Sequence, residues 1–135
     1  MKVKLSTLWI VVVFNMVVAD ILAFIVPGQL YEFMSGHAGG VQITQGVLLA
    51  FAVLLEVPIA MIFLSRALTY RSNRWANIVA CTITILFVVG GGSTDLHYIF
   101  FGAIEVLCML LIVRSAWKWS NPGTPVKNVG ETVAA

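Results

Sequence analysis

Four apolar runs constrain this chain more than any other feature of its sequence. A helix needs about 20 apolar residues to cross the hydrocarbon core of a membrane. The runs cover residues 6–26, 44–65, 75–91 and 97–117. Because a helix satisfies its own backbone hydrogen bonds, four such helices can lie in lipid together. We therefore predict an all-α integral membrane protein, a four-helix up-down bundle over residues 1–119, with a disordered cytoplasmic tail over residues 120–135.

The composition excludes a water-facing surface over most of the chain. Apolar residues make up 60% of the 135 residues, charged residues only 10%, and the mean hydropathy is +0.98. Soluble domains average about 25% charged residues. The formal net charge of +2 is small and the basic residues form no patch. The lipid bilayer is therefore the expected partner, and nucleic acid is not.

The distribution of Lys and Arg predicts how the chain crosses the membrane. Two basic residues precede the first run, three lie between the second and third, three close the chain, and the other two connections have none. Because cytoplasmic segments carry the excess of Lys and Arg, both termini are expected in the cytoplasm. A cleaved signal peptide is the alternative for the first run, but Asp20 inside this long run argues against it.

Three acids and an amide inside the runs are the candidate functional residues: Asp20, Glu56, Glu105 and Asn15. An acid at the centre of a membrane costs about 2.5–3.5 kcal/mol on insertion scales, so it generally has a purpose. At about 1.5 Å per residue, Asn15 and Glu56 lie about 13 Å from the cytoplasmic ends, and Asp20 and Glu105 about 19–21 Å. We predict two polar layers, which form a ligand or proton site in the bundle.

Glu56 is expected to point into the bundle, because the small residues Ala52 and Ala60 on its side allow another helix to approach. Pro58 removes one backbone donor, and an unwound turn beside the carboxyl would suit a polar site. The alternative is that Pro58 only kinks the helix and that Glu56 hydrogen-bonds to Asn15 to hold two helices together. No Lys or Arg lies at the depth of the three acids, so we expect them to be protonated and hydrogen-bonded, to face a hydrated cavity, or to bind a cation.

The third run carries a polar stripe at helical spacing, which we interpret as a helix-packing surface. The stripe consists of Asn77, Cys81 and Thr84. Cys81 and Cys108 are expected to be buried free thiols rather than a disulfide or metal ligands. A weak metal pattern is formed by Asp95, His97 and His37 in the outer connections. No catalytic residue, metal site or cofactor motif is indicated.

The first outer connection, PGQLYEFMSGHAGG, either contains a short amphipathic helix or is an irregular loop. Leu30, Phe33 and Met34 recur at helical spacing, and Gly36 can end such a helix. A short helix would lie at the outer membrane interface.

The chain resembles a family of small bacterial membrane proteins known as domain of unknown function 6326. The resemblance rests on STLWIVVVFN, PGQL, LLEVPIAMIFLSR, NRWANI and YIFFGAIEVLC, and it covers most of the chain from Leu5 to Trp119. It implies a four-helix protein of the bacterial inner membrane and assigns no role to any residue. A coarser likeness to the DoxX-like bundles rests on size and number of spans alone.

Three functional hypotheses follow. The first is a small transporter, or a transport-associated protein, in which Asp20, Glu56 and Glu105 line a polar site. Because 135 residues are few for a transport path, this hypothesis favours a homo-oligomer. The second is a non-catalytic membrane subunit whose buried polar residues only fix helix packing. The third is an enzyme or redox partner that acts on a lipophilic substrate. The sequence has no recognisable cofactor ligands, which argues against this third hypothesis.

Overall fold

The computed structural model describes residues 1–120, so the predicted tail lies, apart from its first residue, outside the described residues. Five helices and a two-stranded hairpin make up this part of the chain. They are α1 (Lys2–Ala23), α2 (Gln29–Met34), β1 (His37–Ala38), β2 (Val41–Gln42), α3 (Gln45–Ala67), α4 (Tyr70–Gly91) and α5 (Leu96–Lys118). The helices α1, α3, α4 and α5 are long and apolar enough to cross a membrane. The predicted all-α fold with four such helices is confirmed.

The helix ends differ from the apolar runs by three or more residues in three places. α1 starts at Lys2, four residues before the first run. α1 stops at Ala23, and residues 24–26, expected to continue the first span, form turns before Pro27 and Gly28. α4 starts at Tyr70, five residues before the third run, because its first turns carry polar residues that an apolar run leaves out. The length of a helix in this chain therefore need not equal the length of the apolar run within it.

Side-chain contacts gather four helix ends on one side of the bundle. α1 packs against α3 and α5, and α4 packs against the same two helices. The Ser6 hydroxyl donates to the carbonyl oxygen of Ile62 at 2.8 Å, which joins the start of α1 to the end of α3. The Tyr70 hydroxyl donates to the carbonyl oxygen of Trp119, which joins the start of α4 to the end of α5. We call this the basic end, because the Lys and Arg residues of the described chain lie near it.

The opposite end, the loop end, holds the connection between α1 and α3. The short helix expected there is present as α2, and the rings of Phe24 and Phe33 pack edge to face with centroids 5.5 Å apart. Gly36 follows the helix with φ +85°, a left-handed conformation that glycine adopts without strain. The hairpin of β1 and β2, which the sequence did not predict, completes this connection.

A buried hydrogen-bonded network ties three helices together near the basic end. The Trp9 indole N–H of α1 donates to the Asn77 side-chain oxygen of α4 at 2.8 Å, and the Ser65 hydroxyl of α3 donates to the same oxygen at 3.3 Å. The Asn77 amide nitrogen donates to the Asn73 side-chain and backbone oxygens at 2.6 and 2.8 Å. The Asn73 amide nitrogen donates in turn to the Ser65 carbonyl oxygen at 2.6 Å.

All four residues of this Asn77 network are fully buried. A polar group in a water-free interior costs free energy unless it is hydrogen-bonded. In the network the indole N–H, both amides and the hydroxyl each have a partner, so the four polar side chains can be buried together. Because each bond has a defined direction, the network also fixes the rotation and height of α1 and α3 against α4.

Replacing the centre of the network should destabilise the bundle. Asn77→Leu puts an apolar side chain of similar size in its place. The Trp9 N–H and the Ser65 hydroxyl then lose their acceptor, and the Asn73 side-chain oxygen loses its donor. Unsatisfied buried groups cost about 1–3 kcal/mol, so we expect a loss of that size in the free energy of unfolding. It is measured by tryptophan fluorescence during denaturation in mixed micelles.

Thr82→Ala is the matched control on the same helix. The Thr82 hydroxyl is exposed and donates only to the carbonyl oxygen of Ile78 in its own helix, at 2.9 Å. Its loss should leave the unfolding curve nearly unchanged. An Asn77→Leu protein as stable as the Thr82→Ala protein would contradict the role of the network.

Candidate functional site

The interface between α4 and α5 is close-packed over two contacts. The Cys81 thiol lies 3.7 Å from the carbonyl oxygen of Met109. Nearer the loop end, a methyl group added at Gly102 would lie 3.7 Å from Cγ1 of Val88. A methyl group would fit there in ordinary van der Waals contact. The two contacts bracket the segment of the interface that carries the polar residues described next.

Thr84 of α4 and Glu105 of α5 lie between these two contacts and are both buried, with 1% and 3% of their surface exposed. The Thr84 hydroxyl has no hydrogen-bond partner among the described residues. Thr7 and Thr82, by contrast, donate to the carbonyl oxygens four residues earlier, at 2.8 and 2.9 Å. A threonine in a helix readily makes this bond, so Thr84 is unusual in leaving its hydroxyl available at the level of the Glu105 carboxyl.

Asp20 and Tyr98 extend this site toward the loop end. The Tyr98 hydroxyl of α5 donates to the Asp20 carboxylate of α1 at 2.8 Å. Tyr98 precedes Glu105 by seven residues, so the two side chains lie on the same face of α5, about two turns apart. Through this bond Asp20, whose side chain is exposed, joins the face of α5 that carries Tyr98 and Glu105. We call Asp20, Thr84, Tyr98 and Glu105 the acidic cluster.

A small cleft between α1 and α3 reaches the acidic cluster. Its volume is about 80 Å³, and Asp20 and Pro58 lie in its otherwise apolar lining. A water molecule needs on the order of 10–15 Å³ of such space. The cleft therefore has room for a few water molecules or a small cation beside the Asp20 carboxylate.

Glu56 does not point into the bundle, so the predicted inward orientation is wrong for the single chain. Its side chain is exposed, whereas Pro58, Met61 and Ser65 form the buried side of α3. Glu56 precedes Pro58 by two residues, which places it on the far side of the helix. The small residues beside Glu56 predict a packed side of α3, but Ala52 is exposed and Ala60 only half-buried.

The structure does not bring Asn15 and Glu56 together. The Asn15 amide nitrogen donates to the carbonyl oxygen of Val11 in its own helix, at 2.8 Å. The unwound turn expected at Pro58 is also absent, because α3 is continuous from Gln45 to Ala67. A single missing N–H leaves the other helical hydrogen bonds intact, and the buried Pro58 side chain packs within the bundle.

The polar stripe predicted on the third run is buried, but its residues belong to two different sites. Asn77 belongs to the network near the basic end, Thr84 belongs to the acidic cluster, and the fully buried Cys81 lies between them. Cys81 and Cys108 are both buried free thiols.

The weak metal pattern of the outer connections does not form a site in residues 1–120. The Asp95 carboxylate accepts a hydrogen bond from the Ser93 hydroxyl at 2.7 Å, and a ring nitrogen of His37 lies 3.2 Å from the Ser35 carbonyl oxygen. Within the described chain, no three His, Cys, Asp or Glu side chains are grouped as metal ligands would be.

Sequence reasoning missed residues that carry recognisable signals. Tyr98 stands seven residues before Glu105, a spacing that puts both on one helix face. Asn73 and Asn77 are four residues apart and therefore neighbours on α4. Trp9 lies inside an apolar run, and its indole N–H needs a partner when it is buried.

Comparison with known proteins gives a family and no further relative. The sequence model of a family described as "Family of unknown function (DUF6326)" matches residues 1–124. No curated protein and no solved structure matches the chain.

The bond between Tyr98 and Asp20 should contribute measurably to the site. A double-mutant cycle of Tyr98→Phe and Asp20→Ala removes only the hydroxyl on one side and the carboxylate on the other. We expect a coupling of about 0.5–1.5 kcal/mol in the free energy of unfolding, typical of a hydrogen bond.

The matched cycle pairs Asp20→Ala with Tyr31→Phe. Tyr31 lies on α2 with 78% of its side chain exposed, so this pair should show no coupling. Equal values in the two cycles would mean that the Tyr98 hydroxyl does not hold Asp20.

Proposed function

The chain belongs to the family of unknown function DUF6326, and from its own residues we propose that it is a small transporter or transport-associated protein of the bacterial inner membrane. In this proposal the four long helices form an up-down bundle with both termini in the cytoplasm. The acidic cluster is the working site, where Glu105 and Asp20 bind and release a proton or a small cation.

One observation carries the proposal, namely that the Glu105 carboxyl is buried without a basic partner among residues 1–120. Only 3% of its surface is exposed. The nearest basic residue along α5 is Arg114, nine residues away, or about 13 Å along the helix. A carboxyl in such a place holds a proton or a cation, because an isolated buried charge is costly. Acids of this kind in transporters mark proton and ion pathways.

The neighbours of Glu105 suit exchange better than rigid packing. The unpartnered Thr84 hydroxyl can donate to a carboxylate or bind a cation through its oxygen. Tyr98 already donates to Asp20, and its hydroxyl can both give and accept a hydrogen bond. Asp20 borders the cleft between α1 and α3. We propose that Asp20 exchanges with water in this cleft and that Glu105 is the inner group.

A non-catalytic membrane subunit is the second candidate, and the Asn77 network favours it. There the buried polar groups are satisfied by one another, as helix packing requires. The acidic cluster differs, because a fully buried hydroxyl in it has no partner within the described chain. A site that only joined helices would use this hydroxyl, so the first candidate explains the cluster better.

Glu105→Gln tests the proposal, because glutamine keeps the shape and hydrogen bonding of glutamate but cannot ionise. The protein is reconstituted in liposomes that contain a pH-sensitive dye, and a membrane potential is imposed. We expect wild-type liposomes to change their internal pH faster than protein-free liposomes. Glu105→Gln should reduce the rate to the protein-free level while the folded yield stays that of the wild type.

The Thr82→Ala protein serves as the control and should retain the wild-type rate. Glu105→Gln liposomes as active as wild type would contradict the proposed site. If wild-type liposomes show no flux, Glu105→Gln is silent and Glu105→Leu unfolds the protein, the subunit is the better description.

A further inference from the structure

Glu56 occupies the centre of α3 and faces away from its own bundle. α3 runs from Gln45 to Ala67, so that eleven residues precede Glu56 (45–55) and eleven follow it (57–67). Its side chain is exposed, and it has no hydrogen-bond or ion-pair partner among residues 1–120. In a helix that crosses a membrane, this position is the deepest in the lipid, where an uncovered carboxyl is most unfavourable.

α3 is also the long helix that the rest of the chain covers least. Only 11% of the residues in its most apolar window are buried, against 33%, 22% and 22% for α1, α4 and α5. The exposed side around Glu56 includes Leu49 and Phe63, with 66% and 71% of their side chains exposed. Ala52 and Ala60 lie one turn on either side of Glu56, and such small residues allow a second helix to approach closely.

We propose that this side of α3 docks against α3 of a second copy of the chain, so that Glu56 of one copy meets Glu56 of the other. A two-fold axis relates identical residues across such an interface. Every copy is expected to cross the membrane in the same orientation, so the axis runs along the membrane normal and each residue on this side of α3 lies opposite its own counterpart. Glu56 then meets Glu56 at the middle of the helix.

The chemistry of the carboxyl makes this contact self-complementary. A protonated carboxyl has one donor and can also accept, so two of them satisfy each other through reciprocal hydrogen bonds. One proton shared between two carboxyls also provides a bond. The pair removes the polar group of each copy from lipid, and no residue of another type is required. The interface is separate from the acidic cluster, whose residues belong to α1, α4 and α5.

Cysteine cross-linking in membranes tests the interface while Glu56 remains in place. In a background of Cys81→Ala and Cys108→Ala, Ala52→Cys supplies a single thiol one turn from Glu56. Phe14→Cys is the matched control, since Phe14 lies near the middle of α1 with 69% of its side chain exposed. Under a mild oxidant we expect a covalent dimer with Ala52→Cys and none with Phe14→Cys.

Substitution of Glu56 itself separates the carboxyl pair from general apolar contact. Glu56→Gln can form a reciprocal amide pair and should keep the dimer. Glu56→Leu cannot, and it should raise the dissociation constant of the dimer roughly tenfold, as expected for a lost interhelical hydrogen bond. This dissociation constant is obtained without cross-linking. The mass of the particle in detergent is measured at several protein concentrations for the cysteine-containing wild-type chain and for both variants.

Three results would overturn the proposal. One is equal cross-linking of the Ala52→Cys and Phe14→Cys proteins. Another is a wild-type mass of one chain at the highest concentration. A third is a covalent product of Ala52→Cys whose mass contains a different protein instead of a second copy. If Glu56→Leu loses the dimer while the liposome flux is unchanged, the interface is supported. The role of Glu105 is tested separately, by the flux of Glu105→Gln.

Discussion

The hydrogen bonds of Asn77 are the interaction on which the arrangement of the helices depends. Lipid is as apolar as a leucine side chain, so apolar surface alone gives little reason for these helices to choose one rotation over another. The Asn77 amide joins the Trp9 indole, the Ser65 hydroxyl and the Asn73 amide at one level. The resulting register of α1 and α3 against α4 in turn sets which side chains meet further along the bundle.

The chain uses polar groups in the membrane in three ways. Near the basic end they are paired with one another, and the pairing holds the helices. In the acidic cluster, Glu105 and Thr84 are buried without such closure, and Asp20 lies at a cleft that can admit water. On the outer side of α3, the Glu56 side chain is exposed and has no hydrogen-bond partner within residues 1–120. In our proposals, structure, exchange and assembly fall to different layers and faces of one small bundle.

Much of the fold was predictable because membrane crossing depends on apolar length, which is a property of each segment alone. The common depth of Asp20 and Glu105 is a prediction of the same kind, because helix rise per residue is nearly constant. The orientation of Glu56 did not follow, because a helix that is apolar all round has little amphipathic contrast to mark its inner side. Small residues such as Ala52 mark close contacts, but such contacts form within a chain or between copies equally well.

The central claim is that Glu105 exchanges a proton or a cation while the protein stays folded. Infrared difference spectroscopy of the reconstituted protein during a pH change tests this most directly, because protonated and ionised carboxyls absorb at different frequencies. The account predicts a carboxyl band that appears and disappears reversibly with pH and is missing in Glu105→Gln. If the wild-type and Glu105→Gln difference spectra are identical across the pH range in which the protein remains folded, Glu105 does not exchange and the account is wrong.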